Sequence, residues 1–303
     1  MNWHNLISSR RLGKEDRDKH PAEQRTEFQR DYDRLIFSSP FRRMQNKTQV
    51  FPLPGSIFVH NRLTHSLEVS SVGRSLGADV ARALEGHHDA ADTAALESIS
   101  AIVSAACLAH DMGNPPFGHS GERAIGAYFS EGAGKRWESF VRAEGGRWED
   151  FLFFEGNANA FRLLTHQFRG RRPGGFALTY STVASIVKYP YSSLLSGGKS
   201  KFGFFVTEEE TMQEVAEELG LIRRTTSALS YARHPLVYLV EAADDICYQI
   251  MDIEDAAKLH ILSREEAQGL LSAFFSEDEL REVQQGLRLI ADPNEQTAYL
   301  RSK

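Results

Sequence analysis

Cysteine is almost absent from the chain: Cys107 and Cys247 are its two representatives among 303 residues. Two thiols build no disulfide framework, and they are not spaced as a zinc-thiolate pair. Both lie in apolar helical patterns and read as core residues. Long hydrophobic runs are missing too, the longest falling far short of the ~20 residues that cross a bilayer, so no membrane association is expected. The opening Met1-Asn2-Trp3-His4-Asn5 lacks the basic stretch and apolar core of a secretory signal. A reducing cytoplasm is therefore the expected location. Positive charge is scarce as well: 35 Lys and Arg against 41 Asp and Glu leave a net charge of −6. That balance argues against a dedicated nucleic-acid binder. An anionic substrate would have to be held by a metal and a few placed cations, since the overall field does not attract it.

What is present is helical periodicity. Leu63, Leu67, Val72, Leu76, Val80 and Leu84 recur at spacings of four or five in a segment opened near Asn61. Leu96, Ile99, Ile102, Val103, Ala106 and Cys107 do the same between Asp92 and Ala109, which reads as a buried helix. A third helix, about Val237 to Ala257, carries Leu239, Ala242, Ala243, Ile246, Ile250 and Ile253 on one stripe. Thr207 with Glu210 has the form of a capping box, and Gly220 is placed to end the helix it starts. The Gly-rich pieces at 131–134, 145–146, 171–175 and 196–199 are loops, none long enough for a linker. The expected architecture is one all-α domain over residues 1–303. A short β-hairpin is expected near 48–59, where Pro52, Pro54 and Gly55 punctuate apolar residues.

The strongest chemical signal is Leu108-Ala109-His110-Asp111-Met112-Gly113-Asn114-Pro115-Pro116-Phe117-Gly118-His119. A buried helix ends in adjacent His and Asp, and Gly and two prolines stop the chain there. Two metal-ligand types are thus delivered at one helix end, although a histidine favouring the helix dipole explains the pair equally well. His65 lies on the first helix with apolar flanks. On the third helix Asp244, Tyr248 and Asp252 fall at about 0°, 40° and 80°, with the apolar stripe centred near about 210°. A solvated acidic face is the plain alternative.

Taken together these residues resemble the H…HD…D pattern of the HD phosphohydrolase superfamily. Within it four ordered blocks are similar to the deoxyguanosinetriphosphate triphosphohydrolases (dGTPases): Phe41-Arg42-Arg43-Met44-Gln45-Asn46-Lys47-Thr48-Gln49-Val50-Phe51-Pro52, Asn61-Arg62-Leu63-Thr64-His65-Ser66-Leu67-Glu68-Val69, Gly113 to His119, and Glu241-Ala242-Ala243-Asp244-Asp245-Ile246-Cys247-Tyr248. The resemblance implies a helical HD fold and hydrolysis of a deoxynucleoside triphosphate, dGTP foremost, to deoxynucleoside and tripolyphosphate. It implies metal ligands His65, His110, Asp111 and Asp244. Two imidazoles and two carboxylates leave open positions on an octahedral ion, which suits Mn, Mg or Fe. Asp244 rather than Asp245 is chosen by family register and because it shares a face with Tyr248 and Asp252.

By the same resemblance His119 and Glu122 form the catalytic pair, with His119 as either acid or base. Asp252 and Gln45 would bond the 3′-hydroxyl of the sugar, and Tyr248 would pack where a 2′-hydroxyl would sit. Arg62, Lys188 and Tyr189 would contact phosphates; a guanidinium suits that task by its bidentate fork. The family implies a homo-oligomer, hexameric or dimer-based, and single-stranded DNA as a regulator. Rival readings are another HD nucleotide phosphohydrolase and a catalytically silent dNTP- or DNA-sensing member. The dGTPases continue well beyond a point like Thr297 to Lys303, so the chain is expected to lack a C-terminal helical portion.

Overall fold

The computed structural model describes residues 2–14, 25–52, 59–86, 95–170, 173–197, 201–292, 295–296, 299–300 and 302–303. Among them there is no sheet; the extended contacts are isolated bridges such as Thr48 with Asn61 and Tyr191 with Ser230. The all-α expectation holds. Residues 53–58 of the hairpin expected near 48–59 lie outside the described residues. The residues fall into two compact units, one of 1–49 and 61–244 and the other of 50–60 and 245–303.

In the first unit the helices that matter are α1 (Glu27–Ile36), α2 (Ser39–Arg43), α3 (Arg62–Glu85), α4 (Ile99–Ala109), α5 (His119–Ser130), α6 (Gly156–Thr165), α7 (Tyr180–Ser185) and α8 (Glu209–Leu219). α3 begins at Asn61, whose side chain accepts from the backbone of Leu63 and Thr64 while Thr64 Oγ1 accepts from Asn61 N. This reciprocal cap satisfies donors the helix cannot satisfy internally. α4 is apolar all round and fully buried from Ile99 to Ala109, apart from Ser100 and Ala101. It lies against α3 at close range, because a Cβ on Gly73 would stand 2.6 Å from Cys107 Sγ and one on Gly77 would stand 2.8 Å from Ser100 Cα. Ser70 Oγ donates to Ser104 O at 2.8 Å across the same contact. This packing sets the face of α3 that bears His65 against the end of α4 that bears His110.

The start of α8 differs from expectation. It is preceded by a 3₁₀ turn, Val206–Glu208, and Thr207 makes no cap. Its hydroxyl accepts from Arg162 at 2.8 Å and donates to Glu208, whose buried carboxylate also binds Arg162 and His166. Gly220 does end the helix, in the left-handed conformation with φ 63°.

The third expected helix is α9 (Val237–Lys258). Its buried positions up to Cys247 are Val237, Val240, Ala243 and Cys247, whereas Ile246 is 41% exposed. The buried face is therefore turned from the expected stripe toward Asp244. The reason is that Asp244 itself points inward, as shown below.

In the second unit, α10 (Arg264–Ser272) and α11 (Glu277–Leu289) each open with a complete Ser–Glu capping box, at Ser263 and Ser276. Leu271, Val283 and Leu300 form its core, with Ile250, Ile253, Phe275, Leu287 and Tyr299 packed round them. His60 is tied to α9 here through Asp255, which accepts from His60 N at 2.8 Å and stands 2.9 Å from Nδ1.

Candidate metal centre and catalytic pair

Two helix ends and the middle of a third helix converge in the first unit. The first turn of α3 supplies Arg62 and His65, the C-terminus of α4 supplies His110 and Asp111, and α9 supplies Asp244. His65 Nε2 lies 2.9 Å from Asp244 Oδ1. His110 Nε2 lies 3.5 Å from the same oxygen and 3.7 Å from Asp111 Oδ1. One ligand atom from each of His65, His110 and Asp111 lies within 4.8 Å of the others. Asp245, the neighbour of Asp244, is exposed.

The tautomer of His110 follows from its surroundings. Nδ1 faces the carbonyl of Cys107 at 2.6 Å, so it must donate, and in the neutral ring Nε2 carries the lone pair. That Nε2 is buried and has no hydrogen-bond partner. A buried orphan nitrogen between two carboxylates is costly unless something cationic fills the gap. Burial alone would lower the pKa of His110, but Asp111 and Asp244 outweigh it and push it up to about 9. Asp244 is held well below the ordinary carboxylate range: burial works against ionisation, and His110 and His65 overcome it. The field that favours a proton here favours a divalent cation more. The donor set of two imidazoles and two carboxylates thus fits a metal ion.

Asp111 is placed by its neighbours. Its Oδ2 accepts from Arg62 Nη1 at 2.5 Å, and its Oδ1 accepts from the Asn114 side chain. The loop after it is clamped by Lys47, whose Nζ donates to Met112 O at 3.1 Å and Asn114 O at 2.7 Å. Gly118 turns the chain at φ 52°. A Cβ there would stand 3.0 Å from Arg62 Nη2, so glycine serves both the turn and the close approach of the guanidinium.

His119 opens α5 directly after that turn. Its Nδ1 lies 2.7 Å from Glu122 Oε2. Glu122 is buried, with its other oxygen accepting from Gly156 N at 2.8 Å, while the side chain of His119 is 71% exposed. A fixed carboxylate thus orients an accessible imidazole. The helix that donates to Glu122 comes very close: a Cβ on Gly156 would stand 2.0 Å from Asn114 Oδ1.

Around Tyr189 lie three cations, the ends of Lys188, Lys201 and Arg233 standing 5.9, 5.9 and 5.8 Å from its ring centroid. Glu241 binds Lys188 and Arg233, each at 3.0 Å. Burial would lower the pKa of Lys188, but Glu241, Tyr189 and Asp244 raise it. Gln45 is exposed on a 3₁₀ turn, Met44–Asn46. Tyr248 and Asp252 follow Asp244 by four and eight residues on α9, with Tyr248 49% exposed.

Sequence reasoning missed Lys47, Asn114, Gly156 and Glu241 as parts of this arrangement. Lys47, Asn114 and Glu241 stand inside blocks that carry the family resemblance, which was the available signal. Gly156 carried none.

A model of the HD domain matches residues 62–170, the stretch from Arg62 through His110-Asp111 to the end of α6. The chain carries an HD domain over these residues. The chain is 46% identical, over 269 residues and 84% of its length, to a Synechocystis protein named deoxyguanosinetriphosphate triphosphohydrolase-like. A Pseudomonas aeruginosa protein of the same name is 43% identical over 289 residues and 92% of the chain. One from Yersinia enterocolitica named deoxyguanosinetriphosphate triphosphohydrolase is 34% identical over 274 residues, 79% of the chain and 51% of its own length. The HD chain covers 60% and 62% of the Synechocystis and Pseudomonas proteins.

Proposed function

We propose that the chain is the catalytic part of a divalent-metal phosphohydrolase that converts a deoxynucleoside triphosphate, dGTP foremost, to deoxynucleoside and tripolyphosphate. The observation that carries this reading is the meeting of His65, His110, Asp111 and Asp244 one loop away from the His119–Glu122 pair. A metal held by those four residues, Mn, Mg or Fe, would supply a water of lowered pKa and offset charge at the α-phosphate.

The chain's own groups do the rest. Glu122 holds the His119 ring so that its free nitrogen faces outward, placed to exchange a proton with water or with the leaving 5′-oxygen. Arg62 is anchored through Nη1 to Asp111, which leaves its other nitrogen near Gly118 to meet a phosphate oxygen. Lys188 and Tyr189 would grip the remaining phosphates, since charge-assisted contacts to phosphate are the stronger kind. Tyr248 and Asp252 would read the sugar, carried on the helix that carries Asp244. Gln45 would assist from its own turn.

The test is a panel of the four dNTPs and GTP with Mn, Mg and Fe(II), products separated by anion exchange. Tripolyphosphate from dNTPs, abolished by chelation, supports the reading. Release of orthophosphate or pyrophosphate in its place contradicts it.

A further inference from the structure

The first unit also contains a cavity of about 460 Å³ away from the metal centre. Arg34, Phe37, Ser38, Leu163, His166 and Phe168 are among its walls. A second pocket of about 290 Å³ shares Arg34, Gly175 and Phe176 with it and is lined also by Gly13 and Pro173. The larger chamber falls within the ~300–1,000 Å³ of small-molecule sites. We propose that these chambers form a second ligand site, for a small organic anion with a planar apolar body, whose occupancy is felt at the catalytic pair.

The charge of the site selects an anion. Arg34 Nη1 donates to Phe176 O at 3.3 Å, and among the described residues its guanidinium has no carboxylate partner. The nearby carboxylates are committed elsewhere. Asp31 accepts from Arg11 and Thr179, Glu27 binds Arg11 and Arg30, and Glu208 binds Arg162 and His166. Burial and then Arg11 lower the pKa of Arg34, and Asp31 and Glu27, nearby but not paired with it, offset only part of that.

The rim selects a planar apolar body. Phe37 is 74% exposed and Phe168 43% exposed, and Phe168 sets its edge against His166 with ring centroids 4.9 Å apart. Aromatic faces left in water beside a concave wall gain most by covering a flat ring. Gly175, at φ 59°, lets this wall lie close on the end of α6, since a Cβ there would stand 2.4 Å from Leu164 O.

Both walls run to the active centre. α6 carries Leu163 near one end, with His166 as its C-cap, and at its other end Gly156 N holds Glu122 Oε1 at 2.8 Å. Ser38 caps α2, which leads directly into the turn of Gln45 and to Lys47, the clamp on the loop after Asp111. A ligand that changes the spacing of α2 and α6 acts at both places. The binding half of this inference stands alone; the coupling half rests on the proposed hydrolase activity.

The probe is 2-naphthoate, with 2-naphthamide as its neutral twin and acetate as an anion without the ring. Binding is measured by ligand-observed NMR on the full chain stripped of metal, so that a carboxylate cannot sit on the ion. The expected result is binding of the acid at least ten-fold tighter than of the amide or acetate. R34M should abolish the preference, and L163W, which fills the cavity and leaves Arg34 in place, should weaken both ring compounds; circular dichroism checks that each variant folds. Equal affinity of acid and amide, or an unchanged preference in R34M or unchanged binding in L163W, overturns the site. With metal and dGTP, naphthoate should change kcat/KM at least two-fold in the wild type and not in L163W. Binding without that change overturns the coupling. A chain that turns over no dNTP would refute the proposed activity, and the binding arms would still decide the site.

Discussion

His65 Nε2 and Asp244 Oδ1 stand 2.9 Å apart although 179 positions separate them in the chain. That contact brings the first turn of α3 to α9, and His110 closes the triangle at 3.5 Å from the same oxygen. It gives the choice between adjacent aspartates a direct consequence. D244A should lower Mn(II) affinity by more than about 100-fold, beyond the range seen when only an outer partner of a ligand is lost. D245A, which removes an exposed carboxylate, should leave it within a factor of about three. Calorimetric titration of the two variants separates them; the opposite order would place the ligand at Asp245.

The His119–Glu122 pair should be separable from metal binding. H119A or E122Q should lower kcat by about 10²–10⁴-fold, the usual range for loss of a positioned proton-transfer group. Mn(II) affinity should stay as in the wild type. Full activity of H119A would remove the pair from the mechanism.

Gly156 should tolerate no side chain. In G156A the new methyl would stand 2.0 Å from Asn114 Oδ1 and 3.1 Å from Glu122 Oε1, so the Asn114 side chain must leave its place beside Asp111 or the helix must move. A destabilisation of about 1–3 kcal/mol is expected from such overpacking. Turnover should fall with it, because Glu122 loses its seat. Urea unfolding and steady-state kinetics on the same preparation test both effects.

These residues also show where the sequence is legible and where it is not. α3 was readable because its apolar positions recur at helical spacing from near Asn61 onward. The metal residues were readable because their family pattern is ordered along the chain. Thr207 was misread because its hydroxyl is engaged by Arg162, 45 residues away, a competitor no local pattern reveals. The buried face of α9 was misplaced because an aspartate pointing inward counts as polar in any periodicity. Lys47 and Gly156 escaped notice for a related reason: their partners are backbone atoms or side chains brought near by the fold, and a backbone carbonyl leaves no residue-type signature.

Acid should weaken the first unit through His234. This side chain is buried, its Nε2 lies 3.0 Å from Leu6 O, and its Nδ1 accepts from Leu236 N at 3.3 Å. A proton on Nδ1 would face that donor, and burial above all pulls the pKa from 6.5 down to about 4. The folded pKa lies below the unfolded one, so the unfolded chain binds the proton first as pH falls. Stability from this group is complete above about pH 6.5 and is lost progressively down to about pH 4, by about 3 kcal/mol in all. Urea midpoints at pH 7, 5 and 4 for wild type and H234Q isolate it: the difference between the two proteins should shrink or reverse toward pH 4. A difference independent of pH would show that His234 does not titrate in this window.

The central claim is that the chain positions water for attack at the α-phosphorus of a deoxynucleoside triphosphate. Hydrolysis of dGTP in ¹⁸O-labelled water, with Mn(II) present and products read by mass spectrometry, tests it most directly. The account predicts one labelled oxygen in tripolyphosphate and none in deoxyguanosine. Label in the deoxynucleoside, or label in orthophosphate or pyrophosphate formed without tripolyphosphate, would contradict it.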